Sequence, residues 1–234
     1  MSVPVDFAAW QRLVSCTVDD CHAAWLPGAD AALMAGLRGS ARGRRLLARH
    51  LATHGATALM RLDGIKQMGM LPECDWMFER GATLRSRVID LGTLALAPGL
   101  RKLVDRSAVQ TLRRVLTPER YSWLMACDPD IDSAIADVYQ LKGWRLVDRH
   151  LDDDTRFMQL VENRGLQEIG GALTGAPALL RDRVRLLFAP GARGSVPDAW
   201  LPPGRALRLL RSGGSDAPIP QPLPKIDVTT AEAV

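Results

Sequence analysis

Apolar residues return every three or four positions through most of the chain. The densest run is Leu84, Val88, Ile89, Leu91, Leu94 and Leu96. Later sets are Val109, Leu112, Val115 and Leu116, then Ile131, Ile135, Val138 and Leu141 or Leu146, then Phe157, Leu160 and Val161. Such spacing stacks side chains on one face of a helix. No two segments show the strict alternation and turn spacing of a β-sandwich or barrel. The pattern predicts an all-α fold.

Boundary residues divide this pattern into elements. A helix is expected from Asp30 to His54: Pro27 and Gly28 punctuate its start, Asp30 can cap it, and Gly55 follows its last turn. Leu33, Leu37, Leu47 and Leu51 give it apolar cover, while Gly36, Gly39 and Gly43 each weaken it by up to ~1 kcal/mol against Ala, which allows a break near Gly39. Gly64 to Asp75, with Gly69 and Pro72, reads as a loop or short turn. The helix from Leu84 is apolar on most sides, which predicts burial. It is expected to end before Pro98, because proline disfavours helical geometry in the residue ahead of it. Asp105 or Ser107 starts the next helix. Thr117-Pro118-Glu119 combines a hydroxyl cap, a proline at the first position and an acid in the first turn. Asp128-Pro129-Asp130 separates that helix from the one carrying Ile131, which Gly143 interrupts; Asp152-Asp153-Asp154 opens another, and Pro177 a last one running to Phe188.

Eight of the 15 prolines lie at or after Pro190. The expected organisation is one compact multi-helix domain over 1–190, a Pro/Arg-rich extension over 191–211, and a disordered tail over 212–234. The tail has too few apolar side chains to repay ordering, and Pro218 to Pro224 bias it towards polyproline II. An inert extension is the preferred reading over a ligand for a partner groove.

Composition agrees with a helical globular chain. Of 234 residues, 47% are apolar and 24% charged, enough for a real core, and the dominance of Leu, Ala and Arg favours helix. A net charge of +4 with interleaved signs permits nucleic-acid binding without indicating it. The opening MSVPVDFAAWQRLVSC lacks a basic n-region and a small-residue cleavage pattern, so no secretory signal is expected. The longest uncharged stretch, Ile169 to Leu180, has 12 residues, against about 20 needed to span a bilayer. An intracellular chain with reduced Cys16, Cys21, Cys74 and Cys127 follows.

Candidate chemistry is thin. His50 and His54 share a helical face at i and i+4, but Leu51 stands where a zinc protease needs Glu. Asp128, Asp130 and Asp132 imitate an EF-hand opening, yet Ser133 and Tyr139 occupy the positions of the required Gly and bidentate Glu. Gly36, Gly39 and Gly43 lack the Gly-Lys-Ser/Thr of a phosphate loop. Cys21-His22 are neighbours in sequence only. No catalytic, cofactor-binding or metal-binding residue is assigned, and an enzyme is not expected.

The best functional candidate is a row of arginines. Arg38, Arg42, Arg45 and Arg49 are spaced 4, 3 and 4, with Arg44 beside them, which places the four within about 60° on one helix. A solvated face ordinarily mixes signs, whereas arginine's planar fork suits carboxylates or phosphates. These four are the candidate partner-binding residues.

Three stretches together resemble the YscK-like (SctK) accessory proteins of bacterial type III secretion systems. They are His22-Ala-Ala-Trp25-Leu26-Pro27; the central Leu84 through Leu91-Gly92 to Leu100-Arg101-Lys102, Asp105-Arg106 and Leu112 to Tyr121; and Leu179-Leu180-Arg181-Asp182-Arg183 to Leu187-Phe188-Ala189-Pro190. The resemblance spans roughly residues 21–190 and stops short of the Pro-rich end. It implies a helical adaptor in the cytosolic sorting platform, at the inner-membrane face. Its partners would be the forkhead-associated-like cytoplasmic domain of the inner-membrane ring protein and the pod protein, with no cofactor and no nucleic acid. Read from the residues alone, the Leu91-Gly92 pair is a packing feature, and a basic nucleic-acid-binding or regulatory protein is the alternative function.

Overall fold

A computed structural model describes residues 7–54, 59, 75–127, 151–190 and 199–212. The helix expected around Ile131, most of the Gly64–Asp75 loop, Cys74 and the tail beyond Ser212 lie outside the described residues. The elements are α1 (Phe7–Asp20), a 3₁₀ turn (Ala23–Trp25), α2 (Ala31–Gly39), α3 (Ala41–His54), a second 3₁₀ turn (Asp75–Phe78), α4 (Gly81–Leu100), α5 (Arg106–Leu116), α6 (Pro118–Ala126), α7 (Asp154–Ala172), α8 (Ala178–Arg185) and α9 (Pro203–Ser212). No strand occurs among the described residues, and the fold is all-α.

The capping residues act as the sequence predicts. Asp30 accepts from Leu33 N–H at 2.7 Å, Asp105 from Ser107 N–H at 3.0 Å, and Asp153 from Thr155 N–H at 2.9 Å. Thr117 caps α6 and accepts from Arg120 N–H at 3.4 Å. Each satisfies a backbone donor that has no partner within the helix.

Three boundaries differ from expectation, the first being α8, which ends at Arg185 and not at Phe188. The 30–54 segment is two helices, broken at Ser40, whose extended backbone (φ −126°, ψ 144°) ends α2. α3 then folds back so closely that a Cβ on Gly43 would overlap the backbone of Leu37. The Leu84 helix does not stop before Pro98 but continues to Leu100, with Pro98 inside it. A proline in a last turn forfeits a single backbone bond, and Arg101 N–H still reaches Ala97 O at 2.9 Å.

α4 is the centre of the core. Leu84, Val88, Leu91, Leu94 and Leu96 have no solvent exposure. α4 lies along α7, and α1, α6 and α9 also pack on it, while α5 and α8 pack on α7. The Leu91-Gly92 pair is a packing feature as read, since the Val161 carbonyl oxygen fills the space a Gly92 Cβ would need. The 191–211 stretch, expected as an extension, does not stand apart from the domain. Its described part buries Trp200, Leu201, Ala206, Leu209 and Leu210 in the same cluster as α4 and α7. Ala206, Leu209 and Leu210 have helical spacing, and the proline count of the region drew attention away from it.

Candidate functional site

The break at Ser40 divides the arginine row. Arg38 sits on α2 and turns inward, where it donates to the Cys21 carbonyl. It therefore leaves the exposed set expected for it. Arg42, Arg45 and Arg49 remain on α3 and are exposed. The helix buries Gly43, Leu47 and Leu51 on its opposite side, and at 100° per residue the three arginines fall within about 60° of one another. Among the described residues no carboxylate lies in ion-pair range of any of the three. Arg44, off the row, pairs with Asp19 at 3.3 Å and donates to Arg38 O at 2.6 Å.

Residues from three distant stretches, 22–25, Arg85 on α4 and 186–188, meet just after α8. The last carbonyls of α8 accept from the residues just after it, Leu186 N–H on Asp182 O at 3.0 Å and Leu187 N–H on Val184 O at 3.1 Å, whereas the carbonyls of Leu186, Leu187 and Phe188 themselves are taken by donors from far along the chain. His22 N–H reaches Leu186 O at 2.8 Å. Arg85, on α4, donates to Leu187 O. Trp25 Nε1–H donates to Phe188 O at 2.7 Å. Arg85 also lies over the Phe188 ring, 5.6 Å from its centroid, and Arg185 over Trp25 at 5.1 Å. His50 Nε2 is 2.8 Å from Trp25 O, which ties α3 to the same junction.

Beside this junction is an open hollow of about 430 Å³ lined by His22, Arg85, Gln159, Glu162, Asn163 and Phe188. Burial raises the Glu162 carboxyl above its ordinary range, opposed by the Arg85 charge. Burial lowers the His22 imidazole, and Arg85 lowers it further. The described lining is polar and mixed in sign, suited to hydrogen bonding, and among the described residues no nucleophile with an adjacent base is assembled there.

His50 and His54 stack at 4.4 Å between centroids. His54 Nδ1 is 3.1 Å from His50 O, so both rings are engaged with backbone. Among the described residues no group of three or more His, Cys, Asp or Glu is placed to hold a metal ion. Cys16, Cys21 and Cys127 are free thiols, and burial pushes Cys21 and Cys127 above the usual thiol range. The Asp128–Asp132 acids lie outside the described residues.

Sequence reasoning missed the buried ionic groups. Arg183 is wholly buried and donates to Asp20 Oδ2 at 2.6 Å, Glu79 O at 2.9 Å, Met77 O at 3.2 Å and Cys16 O at 3.4 Å. A signal existed: Arg183 stands four residues after Leu179 and four before Leu187, on the apolar face of its own helix. The Arg164–Glu168 pair, spaced i and i+4 on α7, is likewise buried, and Glu168 accepts from Trp200 N–H at 2.9 Å and Leu201 N–H at 2.8 Å.

Among the described residues no helix is long and apolar enough to cross a membrane. Compared with protein-family models, with curated proteins and with solved structures, the chain matches none.

Proposed function

We propose that this chain is a non-enzymatic adaptor of a bacterial type III secretion sorting platform. It would link the cytoplasmic domain of the inner-membrane ring to the pod protein at the cytosolic face of the membrane. The observation that carries the reading is the exposed row Arg42, Arg45 and Arg49, which meets no carboxylate among the described residues. Unneutralised arginines in a row are an arrangement suited to an acidic partner, since the guanidinium binds carboxylates bidentately and arginine is enriched at interfaces.

The test is co-purification of the ring protein and the pod protein with wild-type chain and with Arg42→Glu/Arg45→Glu. Exposed charges contribute about 0–1 kcal/mol to stability, so the variant should melt like wild type. Like charges across an interface cost several kcal/mol, so at least one partner should be lost. Recovery of both partners by the folded variant would return the row to a solvated face. The same arginines suit phosphates, and the alternative, a nucleic-acid-binding protein, would show a steep loss of affinity with salt.

A further inference from the structure

Leu46 is half exposed, at 50%, on the same side of α3 as the arginines. It follows Arg42 by four residues and precedes Arg49 by three. Side chains at those spacings are neighbours on a helix surface. An uncovered leucine is therefore bracketed by an arginine one turn before it and another one turn after it. At 100° per residue Leu46 lies about 40° from Arg42 and about 60° from Arg49, so the apolar position adjoins the charged row along one edge, and interfaces combine apolar contact with a charged rim.

We infer that this face of α3 receives an acidic amphipathic helix of a partner protein, with an apolar side chain seated on Leu46 and carboxylates on Arg42, Arg45 and Arg49. Arg49 stands seven positions after Arg42, about 10 Å along the axis at 1.5 Å per residue. A helix laid alongside presents acids at i, i+3 and i+7 with the same pitch. A second copy of this chain does not fit, because its row would set arginine against arginine. A phosphate backbone leaves Leu46 without an apolar counterpart. The inference deepens the adaptor reading by naming the chemistry of the contact, and it rests on that reading only for the partner's identity.

The test uses the full chain and a fluorescent helical peptide of about five turns, roughly 18 residues, with Glu at i, i+3 and i+7 and Leu at i+4. The same peptide with Gln for Glu and a short DNA duplex are the comparisons. The acidic peptide should bind, and the Gln peptide should bind at least tenfold more weakly. Arg45→Glu/Arg49→Glu should weaken the acidic peptide by a similar factor. Leu46→Ser should weaken it several-fold even at high salt, whereas Leu33→Ser, equally exposed but on α2, should not. Equal binding of the two peptides, indifference to Leu46→Ser, or preference for the duplex would overturn the inference. Peptide binding without recovery of the secretion proteins would keep the inference and remove the adaptor reading. Recovery of those proteins undiminished by Leu46→Ser would do the reverse.

Discussion

Gly92 on α4 and Gly165 on α7 fit reciprocally against each other's helices. The carbonyl oxygen of Val161, one turn before Gly165, occupies the place of a Gly92 Cβ. The carbonyl oxygen of Val88, one turn before Gly92, occupies the place of a Gly165 Cβ. Both are backbone atoms of central helices, which cannot swing aside as a side chain does. Gly92→Ala and Gly165→Ala should therefore each destabilise the fold by at least the roughly 1–3 kcal/mol typical of overpacking. Gly36→Ala and Gly170→Ala, where a Cβ meets nothing within 4 Å, should be neutral or gain up to ~1 kcal/mol from helix propensity. Denaturant midpoints of the four variants check this; equal behaviour of both pairs would show that the α4–α7 contact is looser.

Arg183→Met should cost roughly 3–5 kcal/mol, the usual result of removing one partner of a buried ion pair. The loss leaves Asp20 Oδ2 with Gly81 N–H as a donor at 2.8 Å and removes the side-chain donor from the Met77 and Glu79 carbonyls. Arg183→Lys should recover little of this, since one ammonium cannot reproduce the planar fork. Urea unfolding of both variants is the measurement, and a lysine variant as stable as wild type would contradict the geometry.

A chain ending after Ser212 should melt like the full chain, and one ending after Pro190 should not fold cooperatively. The shorter chain loses Trp200, Leu201, Leu209 and Leu210, each at most 8% exposed. At about 1.5–3 kcal/mol per large apolar side chain, the loss is comparable with the whole stability of a domain, about 5–15 kcal/mol. Glu168 would also lose both backbone donors. Calorimetry on the two truncations decides.

Acid should weaken the helix starts. The Ser107 hydroxyl, with backbone N–H groups, holds Asp105 below its ordinary 3.8, and Arg114 does the same for Asp154. A carboxyl depressed by folding contributes stability above its unfolded value and loses it as pH falls through the folded one. Both contributions should thus be intact above about pH 4 and disappear below it. Asp105→Asn keeps the capping acceptor and should flatten part of the fall in melting temperature between neutral and acid. An unchanged pH profile would show that Asp105 gains nothing from ionisation.

The helices were legible because local chemistry marks them: Asp30, Asp105, Thr117 and Asp153 each cap where the sequence places them. The burial of α4 was equally readable from its apolar run. The break at Ser40 was legible only as a weakness, since three glycines permit a bend without choosing its position. The fate of Arg38 was not readable, because it depends on Cys21 in a different element supplying the acceptor. Arg42, Arg45 and Arg49 were therefore visible from spacing alone. Leu46 was passed over because a single exposed leucine has no periodicity of its own. The clasp of His22, Arg85 and Trp25 on α8 pairs groups more than 100 residues apart, where no short-range pattern reaches.

That clasp also orders events in time. Trp25 waits for Phe188, 163 residues later in the chain. At roughly 5–20 residues per second during synthesis, about 10–30 s separate the emergence of the two from the ribosome. Through that interval the residues after α8 are still missing, so His22 N–H and Trp25 Nε1–H are made before the carbonyls of Leu186 and Phe188 that take them. The amino-terminal helices can pack on one another early, but their attachment to the rest of the molecule is sealed only near the end of synthesis.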